Sequence, residues 1–527
     1  MNLFLYVEAT SWLHRADPRT KIFAMLCVFF LALGLKGASS VFVLGCVVMA
    51  AGLSAGFVSS LRRIGGLLLM ILLATTFLWG LTTGSTYLWG PFTLDGLQQG
   101  MTMGIKLTIM ITTGLIWLST TKIEEMTAGM EKLGIPYPVA FAFSTAIRLV
   151  PWIVTSCLMV GEAQQSRGLD LHKGNVIQRI RHYVPLLIPA LVAVVRNANF
   201  FAMALESRGF GSRNERVSFL QIGFGRNDVA LIGALILSAA ACLHFNEGTP
   251  QGLLWNGFYL LTFFVGFILV LRVVVNLESG RILWLNTRMV VLTALSAAIY
   301  AAVVIPFKGI VFVPGVTEFR PGMALPPVLG VLFGPAAAWG SGFGCVISDF
   351  FGSLGPGSFF GFAGNFVMAW LPYRLWWKTG LVRANDPEPL RLNTTAKVIN
   401  FFVVSLAGAV ACALIIGWGL ELLGLVPFKV LAVLIAINNS APIVLLSLPV
   451  MLVLYPRITR WGLLWTEIVG SEGVRLSTQK SSAGVLITLL GIVGGFVGGL
   501  YVAIGFGGDP LITAGAGILL IVLGGFL

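Results

Sequence analysis

Long apolar stretches recur along the whole sequence, and they limit the possible fold more than any other feature. Stretches of 18 or more apolar residues without a charge occur throughout the 527 residues, and only 10% of the residues are charged. In a bilayer every backbone polar group must be hydrogen-bonded within the protein, and these stretches lack the polar–apolar alternation of barrel strands. The sequence therefore predicts an all-α polytopic membrane protein, in which two helical bundles follow one another.

The formal net charge of +13 comes from Lys and Arg that concentrate beside the apolar stretches. This pattern is typical of cytoplasmic loops facing anionic lipid and does not indicate nucleic-acid binding. Arg15, Arg19 and Lys21 predict a cytoplasmic amino terminus in a multi-pass protein of the cell membrane. Glu8 and Asp17 interrupt the basic-then-apolar order of a cleavable signal, so the first apolar segment is expected to stay inserted.

Cysteine and histidine provide no pattern for a metal site. The six cysteines contain no CxxC pair, and the four scattered histidines form no HExxH motif. The sequence also has no GxxxxGK[ST] phosphate loop, so any ATP hydrolysis is expected on separate partner subunits. We therefore expect no catalytic residues, no bound metal and no cofactor in this chain.

The predicted helices divide into three parts around a short charged linker at 276–288. The first part is residues 1–275, the second is 289–460, and a Gly-rich hairpin lies in 461–527. In the first part we expect spans at about 22–36, 40–58, 65–83, 101–120, 229–244 and 252–275. After the helix that begins the second part, we expect spans at about 326–346, 358–377, 396–423 and 427–455, followed by the hairpin helices at 483–507 and 511–527.

Two further segments of the first part are predicted to be helical. The sequence KIEEMTAGMEKLGIP, which follows Thr121, has the apolar stripe of an amphipathic helix suited to lie on a surface. The next segment is expected to form a long helix that is interrupted at Pro151 and ends at Gly168.

A polar segment from Glu162 to Arg216 contains the tripeptide Ser-Arg-Gly twice, each time at the end of a predicted helix. The six residues are Ser166, Arg167, Gly168, Ser207, Arg208 and Gly209. An exposed guanidinium can bind a partner's carboxylate or carbonyls with two parallel hydrogen bonds. A single cytoplasmic Arg is most often a lipid-headgroup anchor, but anchors need no fixed neighbours, so the repeat leaves docking to a partner as an alternative to anchoring.

On these motifs the first half resembles the transmembrane T component of energy-coupling factor (ECF) transporters. The HRADPRTK segment, the amphipathic segment and the paired Ser-Arg-Gly motifs carry the resemblance over about residues 1–275. The resemblance implies that each motif ends a coupling helix and inserts into a groove on one of two cytosolic ABC-type ATPases, which bind ATP and Mg. Arg167 and Arg208 would then be the contact residues, and their neighbours would shape the tips.

The second half is similar to an S component, the substrate-capturing subunit of the same transporters. Its first helix repeats small residues with a spacing of four, which allows close helix packing in lipid. The resemblance implies that this surface packs on the T component; its residues are Ala294, Ala297, Ala298, Ala301 and Ala302. Fusion would raise the effective concentration of the two components. The S family usually has six spans, so the hairpin after about 483 is additional.

Polar residues stranded among the apolar spans of the second half are the candidate substrate ligands, since such groups are costly in a membrane. They are Glu318, Arg320, Asp349, Asn365, Asn438 and Asn439. The alternative is that the charged residues are solvated in a loop and the asparagines cap helices.

The expected function is that of a membrane subunit in an ATP-driven importer of a vitamin or related micronutrient, with the S-like half toppling in the membrane. Separate S components are possible additional partners. An ion-coupled secondary transporter would need related halves and intramembrane acids, whereas the halves differ and the first lacks buried acids. A membrane-embedded enzyme would need clustered His, Asp or Glu within the spans.

Overall fold

The structure of the protein is a computed structural model that consists mostly of helices. Within the part of the chain that the structure describes, six helices are long and apolar enough to cross a membrane, and the strands form two short antiparallel pairs. The expected all-α polytopic fold class is therefore confirmed. The structure describes residues 6–9, 11–35, 37–82, 87–89, 92–167, 191–211, 220, 222–244, 283–307, 311–313, 317–318, 320–351, 353–383, 386–470, 482–504 and 509–526.

In the first half, the described elements are helices apart from one strand pair. The helices are α1 (Pro18–Gly34), α2 (Ala38–Ser54), α3 (Val58–Thr82), α4 (Leu94–Thr120), α5 (Ile123–Lys132), α6 (Tyr137–Ser166), α7 (Ala198–Ser207) and α8 (Arg226–His244). Strands β1 (Tyr87–Trp89) and β2 (Phe92–Thr93) lead into α4. The span predicted at 252–275, Gly168 and most of the predicted linker lie outside the described residues.

The second half continues with helices up to the end of the described chain. They are α9 (Thr287–Val304), α10 (Leu325–Phe333), α11 (Pro335–Asp349), α12 (Gly357–Leu375), α13 (Thr395–Leu422), α14 (Phe428–Pro442), α15 (Leu448–Arg460), α16 (Ser482–Ile504) and α17 (Pro510–Phe526). A π-helical turn, Ile443–Ser447, joins α14 to α15. Between α9 and α10 lie two 3₁₀ turns, Ile305–Phe307 and Pro321–Ala324, and the strand pair β3 (Val311–Val313) and β4 (Thr317–Glu318).

Helix α1 begins at the Asp17–Pro18 pair, which is the start predicted from the sequence. The Asp17 carboxylate accepts a hydrogen bond from the Arg19 backbone N–H at 2.8 Å. It also forms an ion pair with the Arg19 guanidinium at 2.9 Å. Burial alone would raise the pKa of Asp17, but the hydrogen bonds from Arg19 outweigh it and hold the pKa below its usual value.

The first half does contain a buried acid, contrary to the sequence-based expectation. Asp228, in the first turn of α8, is 1% exposed. Its two carboxylate oxygens accept hydrogen bonds from the backbone N–H groups of Asp17 and Gly225, each at 2.7 Å. Because backbone donors satisfy both oxygens, this acid ties the start of α8 to the segment that begins α1.

Two predicted helix boundaries are wrong, each for a local reason. Helix α6 continues through Pro151, since a single proline removes one backbone hydrogen bond and need not end a long helix. The span predicted at 326–346 is two helices, α10 and α11, which meet at Gly334 with φ of +57°. The chain turns there against Trp465, because a Cβ added at Gly334 would lie 2.8 Å from the Trp465 ring.

The C-terminal hairpin of α16 and α17 belongs to the bundle of the second half. Its two helices meet at glycines, where a Cβ added at Gly517 would lie 2.4 Å from the Gly495 Cα. The Trp418 indole N–H donates to the Leu511 carbonyl at 2.9 Å, and the Arg374 Nε donates to the Gly525 carbonyl at 3.0 Å. Helix α17 thus contacts both α12 and α13, and α16 contacts α13, where a Cβ added at Gly495 would lie 2.9 Å from the Leu414 side chain.

Candidate coupling tips and substrate site

The second Ser-Arg-Gly motif ends α7 in a defined helix cap. Phe210 N–H donates to the Leu205 carbonyl at 3.0 Å, and Gly209 N–H donates to the Glu206 carbonyl at 2.9 Å. This pair of bonds is a Schellman motif, which requires the left-handed φ of +77° that Gly209 adopts. Arg208 therefore lies on a fixed turn with its side chain exposed.

The first motif ends α6 with nearly the same backbone geometry. Arg167 has φ and ψ of −89° and 9°, and Arg208 has −89° and 8°. The hydroxyl of Ser166 donates to the Glu162 carbonyl at 3.0 Å, and that of Ser207 donates to the Ala204 carbonyl at 2.9 Å. Both arginines are exposed, so each carries its guanidinium on a similar backbone turn, although Gly168 of the first motif lies outside the described residues.

The two tips are far apart. Phe210, just beyond the second tip, packs against Phe141 near the start of α6, with the rings tilted and their centroids 4.9 Å apart. Most of α6 lies between Phe141 and Arg167, and at about 1.5 Å per residue this length of helix spans roughly 35–40 Å. The two arginines therefore cannot enter a single small groove.

Helix α9, which carries the alanine repeat, lies between the two halves. It packs against α6 and α7 on one side and α11 on the other, and its five predicted packing alanines are at most 4% exposed. The backbone of Ala297 faces α11, since a Cβ added at Gly344 would lie 2.7 Å from the Ala297 carbonyl oxygen. Direct packing of each alanine on the first half remains a prediction.

One end of the second-half bundle lies along the side of α4. A Cβ added at Gly114 would lie 2.8 Å from the Leu354 side chain, and Trp117 contacts Phe350 edge to face at 5.9 Å. The loop before α14 packs there too, through Leu425 and Val426 in a cluster with Leu33 and Leu107. Two loops between helices of the second half therefore contact the side of α4 between Leu107 and Trp117.

A polar cluster lies within the second half near that same end. The Tyr300 hydroxyl donates to the Asn365 side-chain oxygen at 3.0 Å, and the Asn365 amide donates to the Gly361 carbonyl at 2.9 Å. The Asp349 carboxylate accepts hydrogen bonds from the hydroxyls of Ser353 at 3.0 Å and Ser358 at 2.7 Å. Both Tyr300 and Asn365 are almost completely buried, so the cluster forms part of the packed interior.

Further predicted ligands adjoin this cluster. Arg320 and Asn439 both lie close to the buried Cys412, and Arg320 also lies close to Tyr300. Asn439 is 3% exposed, and its amide nitrogen has no hydrogen-bond partner among the described residues. The structure thus brings Arg320, Asp349, Asn365 and Asn439 together around Tyr300.

Two predicted ligands are not placed in the cluster by any described contact. Glu318 ends strand β4, paired with Val311, and Asn438 is half-buried on α14. Conversely, Tyr300 and Met323 belong to the cluster, with the hydroxyl 3.7 Å from the Met323 sulfur, although the sequence did not single them out. A tyrosine within the Ala-rich span of α9 was the available signal, since its hydroxyl needs a partner in the interior.

Comparisons with known proteins divide the chain where the two halves divide. Residues 9–219 match the CbiQ family, described as cobalt transport protein, and residues 290–456 match the QueT family, described as QueT transporter. The first half is also similar to curated proteins named energy-coupling factor transporter transmembrane protein EcfT.

Three of these relatives show the extent of the match. The Acidaminococcus fermentans protein is 30% identical over 258 residues, which is 46% of this chain and 94% of the relative. The Bacillus subtilis protein is 32% identical, over 45% of this chain and 94% of the relative. The Thermosediminibacter oceani protein is 31% identical, over 45% of this chain and 95% of the relative. The chain therefore belongs to the energy-coupling factor transporter family, as a transmembrane T component fused to an S component.

Proposed function

We propose that the chain is the membrane subunit of an ATP-driven importer of a vitamin or related micronutrient. Two cytosolic ABC-type ATPase subunits, either identical or different, bind ATP and Mg and dock on the tips of α6 and α7. The chain itself hydrolyses no ATP and binds no cofactor. The observation that carries this proposal is the matched geometry of the two Ser-Arg-Gly tips.

The separation of the tips fits docking to two subunits. Arg167 and Arg208 are exposed on equivalent helix ends that lie on the order of 35 Å apart. A guanidinium at each tip can bind carboxylates or backbone carbonyls in a separate groove. The side of the membrane that faces the ATPases, and with it the amino terminus, is then the cytoplasmic side of the cell membrane.

Substrate binds at the polar cluster of the second half. Arg320 supplies a positive charge there, Asp349 a carboxylate, and Asn365 and Asn439 supply amides that both donate and accept. Apolar residues surround them, including Ile443 and Met368. A few polar groups in an apolar shell suit a small, largely planar molecule with several hydrogen-bonding groups.

The packing of second-half loops on α4 supports the transport cycle implied by this proposal. The loops beside the polar cluster lie against α4 between Leu107 and Trp117, and a substrate there would be screened by the first half. Movement of the coupling tips on ATP binding and hydrolysis would release this contact. The second half would then reorient to open the cluster to the outside.

The test is recruitment of the ATPases by the two arginines. The full chain is purified with candidate ATPases encoded beside it, as the wild type and as Arg167→Ala/Arg208→Ala. The matched control is Arg196→Ala/Arg226→Ala, which removes two exposed charges of the first half away from the tips. We expect the wild type and the control to retain the ATPases and the tip variant to lose them.

Transport is then measured in liposomes that contain the purified complex. Substrate uptake should require ATP on the side of the liposome membrane where the ATPases are bound. It should be absent in the tip variant. Uptake that proceeds without ATPases and follows an ion gradient would overturn the proposal in favour of secondary transport.

A further inference from the structure

The coupling helix α7 holds the second half by a hydrogen bond that lies outside the alanine repeat. The Asn199 side-chain amide donates to the Trp461 carbonyl at 2.7 Å, although the two residues are 262 positions apart. Trp461 is the C-cap residue that follows α15, and the carbonyls at the end of a helix have no partner within the helix. A side chain from the first half therefore caps the last helix of the S component.

The capped turn is firmly attached to the core of the second half. Leu463 N–H donates to the Ile458 carbonyl at 3.2 Å and Gly462 N–H donates to the Thr459 carbonyl at 3.1 Å, which closes a Schellman motif. Just beyond it, Trp465 is 1% exposed and lies edge to face against Tyr373, with centroids 5.0 Å apart. A displacement of this turn would thus have to move the bundle with it.

A cavity lies beside the same junction. It has a volume of about 320 Å³ and is lined by Glu206 of α7, by Arg288 at the start of α9 and by Glu467 beyond α15. Glu206 directly precedes the second Ser-Arg-Gly tip. The Asn199 side-chain oxygen is buried and has no hydrogen-bond partner among the described residues. Ala198 and Ala202 of α7 are buried in the same core cluster as Leu463, so the Asn199 hydrogen bond is the directional part of a contact that is otherwise apolar.

We propose that Asn199 is a positioning residue that latches the S component in the orientation in which its loops contact α4, so that movement of the α7 tip releases it. The inference rests on the proposed function in one respect, namely that ATPases move the tip. The latch itself is a property of the chain alone. Its release would couple one coupling helix directly to the end of α15.

A disulfide reporter measures the orientation without any ATPase. A Cβ added at Gly114 lies 3.1 Å from the Leu354 Cβ, close to the spacing of about 3.8 Å found in disulfides. The pair Gly114→Cys/Leu354→Cys is introduced with Cys27, Cys46 and Cys157 replaced by serine, because these three cysteines are at least partly accessible. The rate of disulfide formation in the purified full chain then reports contact between α4 and the second half.

The latch is tested by adding Asn199→Asp, which keeps the side-chain shape and replaces the donor with an acceptor. We expect disulfide formation to slow about three- to tenfold, the change in equilibrium expected for one lost hydrogen bond. The matched control is Asn197→Asp, two residues earlier, where the side chain makes no capping hydrogen bond. Thermal unfolding of each variant checks folding, and Asn199→Ala replaces Asn199→Asp if the latter does not fold.

Unchanged disulfide formation in the folded Asn199 variant would overturn the latch, and so would equal slowing by Asn197→Asp. With the ATPases present, we also expect Asn199→Asp to retain both subunits and to lower uptake per ATP hydrolysed. A latch variant that slows disulfide formation in a chain that recruits no ATPase would leave the latch standing and overturn the proposed ATP coupling. ATPase recruitment and ATP-driven uptake by the chain, together with unchanged disulfide formation in its Asn199 variant, would overturn the latch and leave the proposed ATP coupling standing.

Discussion

The two coupling tips and the buried polar cluster place their key residues in opposite environments. Arg167 and Arg208 are exposed at helix ends, and the neighbouring serines make hydrogen bonds only within their own helices. Tyr300 and Asn365 are at most 1% exposed and are hydrogen-bonded between α9 and α12. The tips can be altered without disturbing the interior, whereas every change in the cluster also changes the packing of the bundle.

This difference predicts how stability and function separate. Exposed charges away from special backbone positions contribute little to the free energy of unfolding. A buried hydrogen-bonded group contributes more, because removing one partner leaves the other unsatisfied in a medium of low polarity. Substitutions in the cluster should therefore lower both function and stability. Substitutions at the tips should lower function and leave stability almost unchanged.

The largest expected effect on stability is that of Asn365→Leu. The change leaves the Tyr300 hydroxyl without its acceptor and costs about 3 kcal/mol in the free energy of unfolding. The measurement is thermal or denaturant unfolding of the purified chain, with candidate substrates tested for stabilisation. The control is Asn227→Leu, on a half-buried residue in the first turn of α8, which should cost far less. Equal costs for the two variants would mean that the cluster is not a special polar site.

Tyr300→Phe should have a smaller effect, about 1 kcal/mol, because it removes only the hydroxyl and keeps the ring. Substrate affinity should fall as well, since the hydroxyl orients the Asn365 amide. The double variant Tyr300→Phe/Asn365→Leu is the sharper measurement. It should cost less than the sum of the single variants, because both remove the same hydrogen bond. Additive costs would show that the two side chains do not act together.

The tips could be predicted from the sequence because their signals are local. A Gly after a polar helix end predicts the left-handed cap that Gly209 adopts, and Asp17 before Pro18 predicts the start of α1. The amphipathic pattern likewise predicts α5 as a short helix distinct from the spans. These features depend on a few neighbouring residues, so a single sequence contains the information.

The cluster could be predicted only in part, because its members come from α9, α11, α12 and α14. Scarcity of polar residues in the spans was enough to select Asp349 and Asn365, but not to show what they contact. Tyr300 was missed because a tyrosine is common in apolar helices and its partner is 65 positions away. The break at Gly334 was missed for the same reason, since it depends on packing against Trp465.

A third variant tests the backbone geometry of a tip while its charged side chain stays in place. Gly209→Ala places a Cβ on a residue with φ of +77° and should cost about 1 kcal/mol, enough to loosen the cap of α7. ATPase recruitment should weaken while Arg208 is still present. The control is Gly161→Ala within α6, where an added Cβ meets nothing within 4 Å and should be neutral or slightly stabilising. If both variants retain the ATPases equally, the geometry of the turn is unimportant for docking.

The smallest expected effect on stability is that of Arg208→Gln, within about 0.5 kcal/mol, because the exposed side chain lies outside the packed interior. Its effect on ATPase recruitment should nevertheless exceed that of Gly209→Ala, since the charged fork itself is lost. Unfolding and co-purification are measured on the same preparations. A marked loss of stability would place Arg208 with the structural residues of the cluster and would end the contrast between the two sites. Retained stability with lost recruitment would show that a coupling tip acts through its charge alone, on a turn that the rest of the chain holds in place.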